Sequence, residues 1–200
     1  MGRAVKIAMA GEGGQGVQSV AQILMDAAIL EGKEALYIPN FGVEQRGGVT
    51  IAFVQIGDEK IGAPKFKIGD IVLALSDRAV RRTQMYVGPQ TLFVYDSGIE
   101  GVEGDLPKNA KQVLAIPALE IANKKLLPRV FNILIMGAVI GATGVVTLDN
   151  AKQAIEMRLG YKFEKNPELR ELNFKALQEG ANLVAGMGGV IGEGIPVRSQ

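Results

Sequence analysis

Apolar positions in the first half of the chain fall in short blocks separated by helical stripes. Ala4 to Met9 reads as a buried strand. Val17 to Leu30 carries apolar residues at Val17, Val20, Ala21, Leu24, Ala27 and Ala28, one face of a helix, with Gly32 placed as its C-cap. Glu34 to Ile38 reads as a second strand ending at Pro39. Val49 to Ile56 alternates and is rich in β-formers, and Gly57-Asp-Glu-Lys60 then looks like a hairpin turn leading to Ile61. Asp70 to Leu75 is another buried strand, Asp77 to Tyr86 a helix, and Thr91 to Tyr95 and Gln112 to Ile116 further strands. Beyond them the pattern is helical: Ala118–Lys125, Arg129–Ala142, Leu148–Leu159 and Pro167–Val184, with Pro128 suited to the first position of the second of these.

Strand–helix alternation implies a layered, Rossmann-like α/β sandwich with a mostly parallel sheet covered by helices. The Val49–Ile61 hairpin signal makes the sheet mixed, and the C-terminal half is helical. Residues 1–185 read as a single α/β domain and 186–200 as a flexible tail, with five glycines in its first nine residues. There is no internal repeat. The run Val130–Val146 is strongly apolar, but its 17 residues include Asn132 and three glycines. A span needs about 20 apolar residues, so a buried core helix is the reading. Gly137 and Gly141, four apart, would let another backbone approach closely.

Composition narrows the chemistry. The chain has 200 residues, 48% hydrophobic, with a net charge of +1 and neither cysteine nor histidine. The charge gives no argument for nucleic acid or an anionic membrane. Without Cys and His there are no disulfides, thiolate nucleophiles, zinc fingers, cluster or haem ligands of those types, or Ser-His-Asp triad. The start resembles neither a signal peptide nor a myristoylation site, so a cytoplasmic location is expected.

The stretch "AGEGGQGVQSVAQIL" (Ala10–Leu24) lies between the first strand and the first helix. Gly11, Gly13 and Gly16 satisfy G-x-G-x-x-G, which lets an anion approach backbone N–H groups at a positive helix end. A dinucleotide site should also carry an acid at the end of the second strand. Here that position reads Ile38-Pro39-Asn40, and Glu31 and Glu34 come too early. The alternative is a tight strand-to-helix turn with close packing. Gly14 and Gln15 add a glycine and an amide, and Gln15 would bring a hydrogen-bonding group to the edge where α/β ligands gather.

A second stretch, "NFGVEQRGG" (Asn40–Gly48), follows strand two and should rise at the same edge. It combines Phe41, Glu44, Gln45 and Arg46 with Gly47 and Gly48. One reading is a surface loop with a Glu44–Arg46 ion pair worth under about 1 kcal/mol. The other is a recognition loop that offers Arg46 to a phosphate or carboxylate. Arg78, Arg81 and Arg82 share one helix face, read as solvated, with a coenzyme phosphate or an acidic partner as the alternative. Lys124, Lys125 and Arg129 form a second cluster, with Arg129 near a helix N-terminus that disfavours a cation.

The pairing of "GEGGQGVQSVAQIL" with "FGVEQRGG" about 25 residues later resembles the gamma subunit of 2-oxoacid:ferredoxin oxidoreductases, the pyruvate, 2-oxoglutarate, branched-chain and indolepyruvate enzymes. "DIVLALS" (Asp70–Ser76), "IPALEIA" (Ile116–Ala122), "PRVFNILIMGAV" (Pro128–Val139) and "ELNFKALQEGANL" (Glu171–Leu183) extend the resemblance over Val5 to about Leu183. It implies a subunit of a complex that oxidatively decarboxylates a 2-oxo acid to an acyl-coenzyme A and reduces ferredoxin. Thiamine diphosphate with magnesium and the iron–sulfur clusters would sit on thiamine-binding and ferredoxin-like partner subunits. Gly104-Asp105-Leu106 and Gly69-Asp70-Ile71 do not continue as a thiamine diphosphate motif. By position, the resemblance makes Gly11, Gly13, Gly14, Gln15, Gly16, Phe41, Glu44, Arg46 and Gly47 the candidates for an edge facing the partners and coenzyme A. It implies no catalytic or metal-binding residue and no activity alone, and leaves room for self-association of the isolated chain. A stand-alone nucleotide- or coenzyme-binding module and an independent small Rossmann-like enzyme are the competing readings. The missing His and Cys count against the latter.

Overall fold

A computed structural model describes residues 3–40 and 48–186 of the protein. Six strands form one sheet in the order β2-β3-β1-β4-β5-β6: β1 (Val5–Glu12), β2 (Glu34–Asn40), β3 (Val49–Gly57), β4 (Ile71–Ala74), β5 (Leu92–Asp96) and β6 (Gln112–Ile116). β1, β4, β5 and β6 are parallel; β3 opposes both β1 and β2, so five of the six strands share a direction. The helices are α1 (Val17–Leu30), α2 (Asp77–Thr83), α3 (Ala118–Lys125), α4 (Phe131–Thr143), α5 (Leu148–Lys165) and α6 (Glu168–Gly186). The mixed α/β architecture expected from the alternation is the one found.

Side chains alternate across the sheet, and the two faces are covered unequally. Ile7, Met9, Val54, Ile71, Leu73 and Val94 join one large core with α1, α4, α5 and α6. Ala8, Ala10, Val72, Ala74 and Phe93 face a smaller core under α2, completed by Phe66 and Val102 from the connections. Local signals set the helix ends. After α1, Gly32 (φ 73°) closes the turn: its N–H donates to Ile29 O at 2.9 Å and the Lys33 N–H to Ala28 O at 3.0 Å. Ser76 caps α2 by accepting the Ala79 N–H at 3.2 Å. In α4 every residue from Ile133 to Ile140 is buried, as the uniformly apolar run requires. Gly137 and Gly141 do admit another backbone, that of α6 at Leu177 and Ala181, and Gly180 of α6 reciprocates against Leu134. Among the described residues no helix is long and apolar enough to cross a membrane.

Three expectations change. The hairpin is formed by β2 and β3, on the other side of β3 from Gly57–Lys60, and residues 58–70 form no strand. Both flanks of β3 are already taken by β1 and β2. The segment turns back over the sheet instead, with Gln55 Nε2 donating to Ala63 O at 2.7 Å and Phe66 edge-on to Phe53. β2 continues through Pro39, which pairs with Ala52, to Asn40. Proline is tolerated because β2 is an edge strand. Helix bounds also move. A 3-10 turn at Gln84–Tyr86 follows α2, another at Pro128–Val130 precedes α4 with Pro128 at its start, and α5 runs on to Lys165 around buried Phe163. Of the expected tail, Gly186 ends α6; residues 187–200 lie outside the described residues.

Candidate functional site

The carboxyl ends of the parallel strands make one edge of the sheet. At it, α1 leads from β1 outward to β2, whereas α2 leads from β4 outward to β5. The chain therefore departs in opposite directions from two neighbouring strands, and α/β proteins bind ligands beside such a switch point. The glycine turn stands here, between Glu12 and Val17.

The glycines of the motif have different physical reasons, Gly11 as the penultimate residue of β1 and the others in the turn. A Cβ at Gly11 would lie 2.7 Å from Gln15 Oε1, 2.7 Å from Val17 Cγ2 and 3.2 Å from Leu75 Cβ, so only glycine lets the turn close over the strand end. Gly14 (φ 91°) and Gly16 (φ 76°) hold left-handed conformations. A Cβ at Gly16 would also overlap the side-chain amide of Asn132, from the first turn of α4. Gly13 and Gly14 are exposed, and among the described residues a Cβ on either would meet nothing within 4 Å. They form a bare backbone crest. Behind it, α1 starts with no side-chain cap and no acid in its first turn, so the helix supplies no carboxylate of its own against the partial positive charge of that end.

Gln15 lies beneath the crest. Its Oε1 accepts the Glu12 N–H at 2.7 Å, and its Nε2 donates to Leu75 O at 2.9 Å. The amide thus reaches the carboxyl edge, where both of its ends are held by backbone.

Phe41, Glu44, Arg46 and Gly47 lie outside the described residues, and so does the proposed Glu44–Arg46 pair. Their anchors are described: Asn40 pairs with Ile51, and Val49 pairs with Glu12, the last residue of β1. Both flanks of that connection therefore stand at the edge that carries the glycine turn. The Tyr37 hydroxyl donates to Gln18 Oε1 at 2.6 Å, and Gln18 Nε2 to Ile51 O at 3.4 Å, tying β2 and β3 to the first turns of α1. Burial raises the Tyr37 hydroxyl above the usual tyrosine range, so it stays a neutral donor.

The two basic clusters are not brought together. Arg78, Arg81 and Arg82 are exposed on α2, over the smaller core. Arg81 is engaged within the chain, with Nε donating to Asp105 at 2.7 Å and Nη1 to Asp77 at 3.1 Å. The Asp105 hydrogen bond, then its charge, holds that guanidinium above its ordinary pKa. On the other side, Lys124 pairs with Glu120 at 2.6 Å, and this hydrogen bond lowers the Glu120 carboxyl. Sequence reasoning gave no role to Asn132, noted only as a flaw in an apolar run, or to Asp96 at the end of β5. Asp96 is 2% exposed and accepts the Gly98 N–H at 2.8 Å and the Leu119 N–H at 2.7 Å, pinning α3 to the edge. A lone amide opening an apolar helix was the available signal for Asn132; nothing local marked Asp96. Among the described residues no group of three or more His, Cys, Asp or Glu is placed to hold a metal ion.

Comparison with known proteins identifies the family and the fold. The family model described as pyruvate ferredoxin/flavodoxin oxidoreductase matches residues 6–183. The pyruvate/ketoisovalerate oxidoreductases common subunit gamma of Pyrococcus abyssi is 33% identical over 181 residues, covering 88% of this chain and 94% of that protein. The ketoisovalerate oxidoreductase subunit VorA of Methanothermobacter thermautotrophicus is 30% identical over 177 residues, 88% of this chain, which spans only 36% of that longer subunit. Among solved structures, the gamma subunit of a keto/oxoacid ferredoxin oxidoreductase from Geobacter sulfurreducens superposes with a TM-score of 0.75 at 28% identity, over 91% of this chain and 99% of that one.

Proposed function

The chain belongs to the pyruvate ferredoxin/flavodoxin oxidoreductase family, and from that premise we propose that it is the gamma-type subunit of a multisubunit 2-oxoacid:ferredoxin oxidoreductase. The complex converts a 2-oxo acid and coenzyme A to an acyl-coenzyme A, carbon dioxide and reduced ferredoxin. Thiamine diphosphate, magnesium and the iron–sulfur clusters belong to partner subunits; this chain has no cysteine to hold a cluster. It contributes assembly and a coenzyme A contact, as one unit over residues 1–185, in the cytoplasm. The site that makes this contact comprises Gly11, Gly13, Gly14, Gln15 and Gly16, with Phe41, Glu44, Arg46 and Gly47 from the adjoining connection.

One observation carries this reading. The Gly13–Gly14 crest is exposed at the carboxyl edge with no described residue near either missing Cβ, and both anchors of the 41–47 connection flank it. Bare backbone before a helix start with no acid suits a phosphate-bearing ligand. The missing acid at Ile38-Pro39-Asn40 weighs against a stand-alone dinucleotide module. Arg46→Ala is the test. It should leave the melting temperature of the isolated subunit within a few degrees. Losing one side of a charge-assisted interface contact costs about 2–5 kcal/mol, so it should weaken assembly or raise the KM for coenzyme A. A large loss of melting temperature with normal assembly and kinetics would make Arg46 structural. Co-purification with thiamine-binding and ferredoxin-like subunits supports the complex; a tightly held nucleotide on a chain that purifies alone supports the independent module.

A further inference from the structure

We infer that Gln15 is a positioning residue for the coenzyme contact: its side-chain amide bridges the ends of β1 and β4 and fixes the height of the Gly13–Gly14 crest without itself touching the ligand. The inference rests on the coenzyme A reading above and assigns how that site is held. Three observations support it. Both ends of the amide are used: Oε1 takes the Glu12 N–H at 2.7 Å and Nε2 gives to Leu75 O at 2.9 Å. The Gln15 N–H also donates to Glu12 O at 3.2 Å, so backbone and side chain grip the same strand end. Gly11 leaves the room that the Gln15 carboxamide occupies, since a Cβ there would crowd Oε1 at 2.7 Å. The crest is a glycine pair, and without a Cβ neither residue has much intrinsic preference for one conformation. A cross-link to β4, one strand away, supplies the stiffness the glycines lack. The same amide fills the start of the β1/β4 switch point, where an α/β ligand commonly enters.

The reconstituted complex carrying Gln15→Leu tests this, because leucine keeps the bulk and removes both hydrogen bonds. The expected result is a KM for coenzyme A raised about tenfold with kcat changed less than about twofold, since small displacements at a site act strongly on binding geometry. In the isolated subunit the Glu12 amide should exchange faster with solvent while those of Ile7 and Met9 stay protected. Gln15→Glu keeps the acceptor for Glu12 and loses the donor to Leu75, so it should raise KM by an intermediate factor; it carries the test if the leucine variant does not fold. Unchanged KM in a variant whose Glu12 amide has become labile would overturn the inference. Gly14→Val in the same complex separates the two claims. If it raises KM and the Gln15 variants do not, the coenzyme site stands and the positioning role falls. If none raises KM, the coenzyme reading fails and takes the positioning role with it.

Discussion

The glycines of the α4–α6 contact and those of the β1–α1 crest stand for opposite uses of a missing side chain. At Gly137, Gly141 and Gly180 a Cβ would run into the backbone of the facing helix, so glycine is demanded by packing inside the molecule. At Gly13 a Cβ would meet nothing among the described residues, and its φ is not positive, so neither packing against those residues nor backbone conformation demands glycine. Among the described residues Gly14 is equally open, and its φ holds it to glycine. A glycine required by its own fold explains stability. An exposed one that is not required, at the edge where α/β ligands bind, fits a contact with something outside the chain.

Substitutions can break or sharpen that contrast. The largest effect is expected in the helix pair. Gly180→Val places a branched side chain against the Leu134 carbonyl and should cost about 3 kcal/mol or more. At about 2–4 °C per kcal/mol for a chain of this size, thermal melts should fall by about 6–12 °C; an unchanged melt would mean the helices can separate freely. Gly16→Val comes next. It must adopt φ 76° and displace the Asn132 amide, a strain of about 2 kcal/mol, read as a shift in the urea midpoint at constant m-value.

Arg158→Ala probes an anchor of the helical layer that involves no glycine. The Arg158 guanidinium clasps Asp26 of α1 in a two-pronged pair, with Nη2 to Oδ1 at 2.9 Å, and the Asp26 hydrogen bond holds it above its ordinary pKa. Asp26 is 9% exposed, and leaving its carboxylate without this partner should cost about 1–3 kcal/mol, measured by denaturant titration. Glu31 gives a smaller, pH-dependent anchor. Burial pushes its carboxyl up, but hydrogen bonds from Lys33, Thr147 and Asn150 outweigh burial and hold it below the ordinary glutamate range. A lowered native pKa contributes stability that is present above the unfolded value, about 4.3, and is lost as pH falls through the native value. The difference in melting temperature between wild type and Glu31→Gln should therefore be largest near neutrality and shrink below pH about 4. A gap that widens on acidification would reverse the assignment.

The smallest stability effect is expected at the crest. Gly13→Ala should stay within about 0.5 kcal/mol in the isolated subunit, as surface substitutions do, and still raise the KM for coenzyme A or weaken assembly of the complex. Loss of stability comparable to Gly180→Val would erase the contrast between the two regions.

Much of this was legible along the chain because it is local. Alternation and helical stripes gave the strands and helices of the described residues, Gly32 gave the end of α1, and the Gly137/Gly141 spacing announced the close approach of another backbone. Those signals act within one turn or one strand. The two motifs, "GEGGQG" and "FGVEQRGG", also carried the family resemblance, since each is a contiguous run of residues. What the tertiary structure decided was pairing between distant residues. Periodicity assigns residues to a strand but does not say which strands flank it, so the partners of β3 emerged only when β1 and β2 occupied both of its edges. Gln15 reaches Leu75 across 60 positions of sequence, Asn132 arrives over Gly16 from another helix, and Asp96 meets Leu119 only because β5 ends and α3 begins at one edge. Each bond lasts only where burial and fixed backbone offset the entropy of bringing far parts of the chain together, and that condition belongs to the folded molecule rather than to any stretch of its sequence.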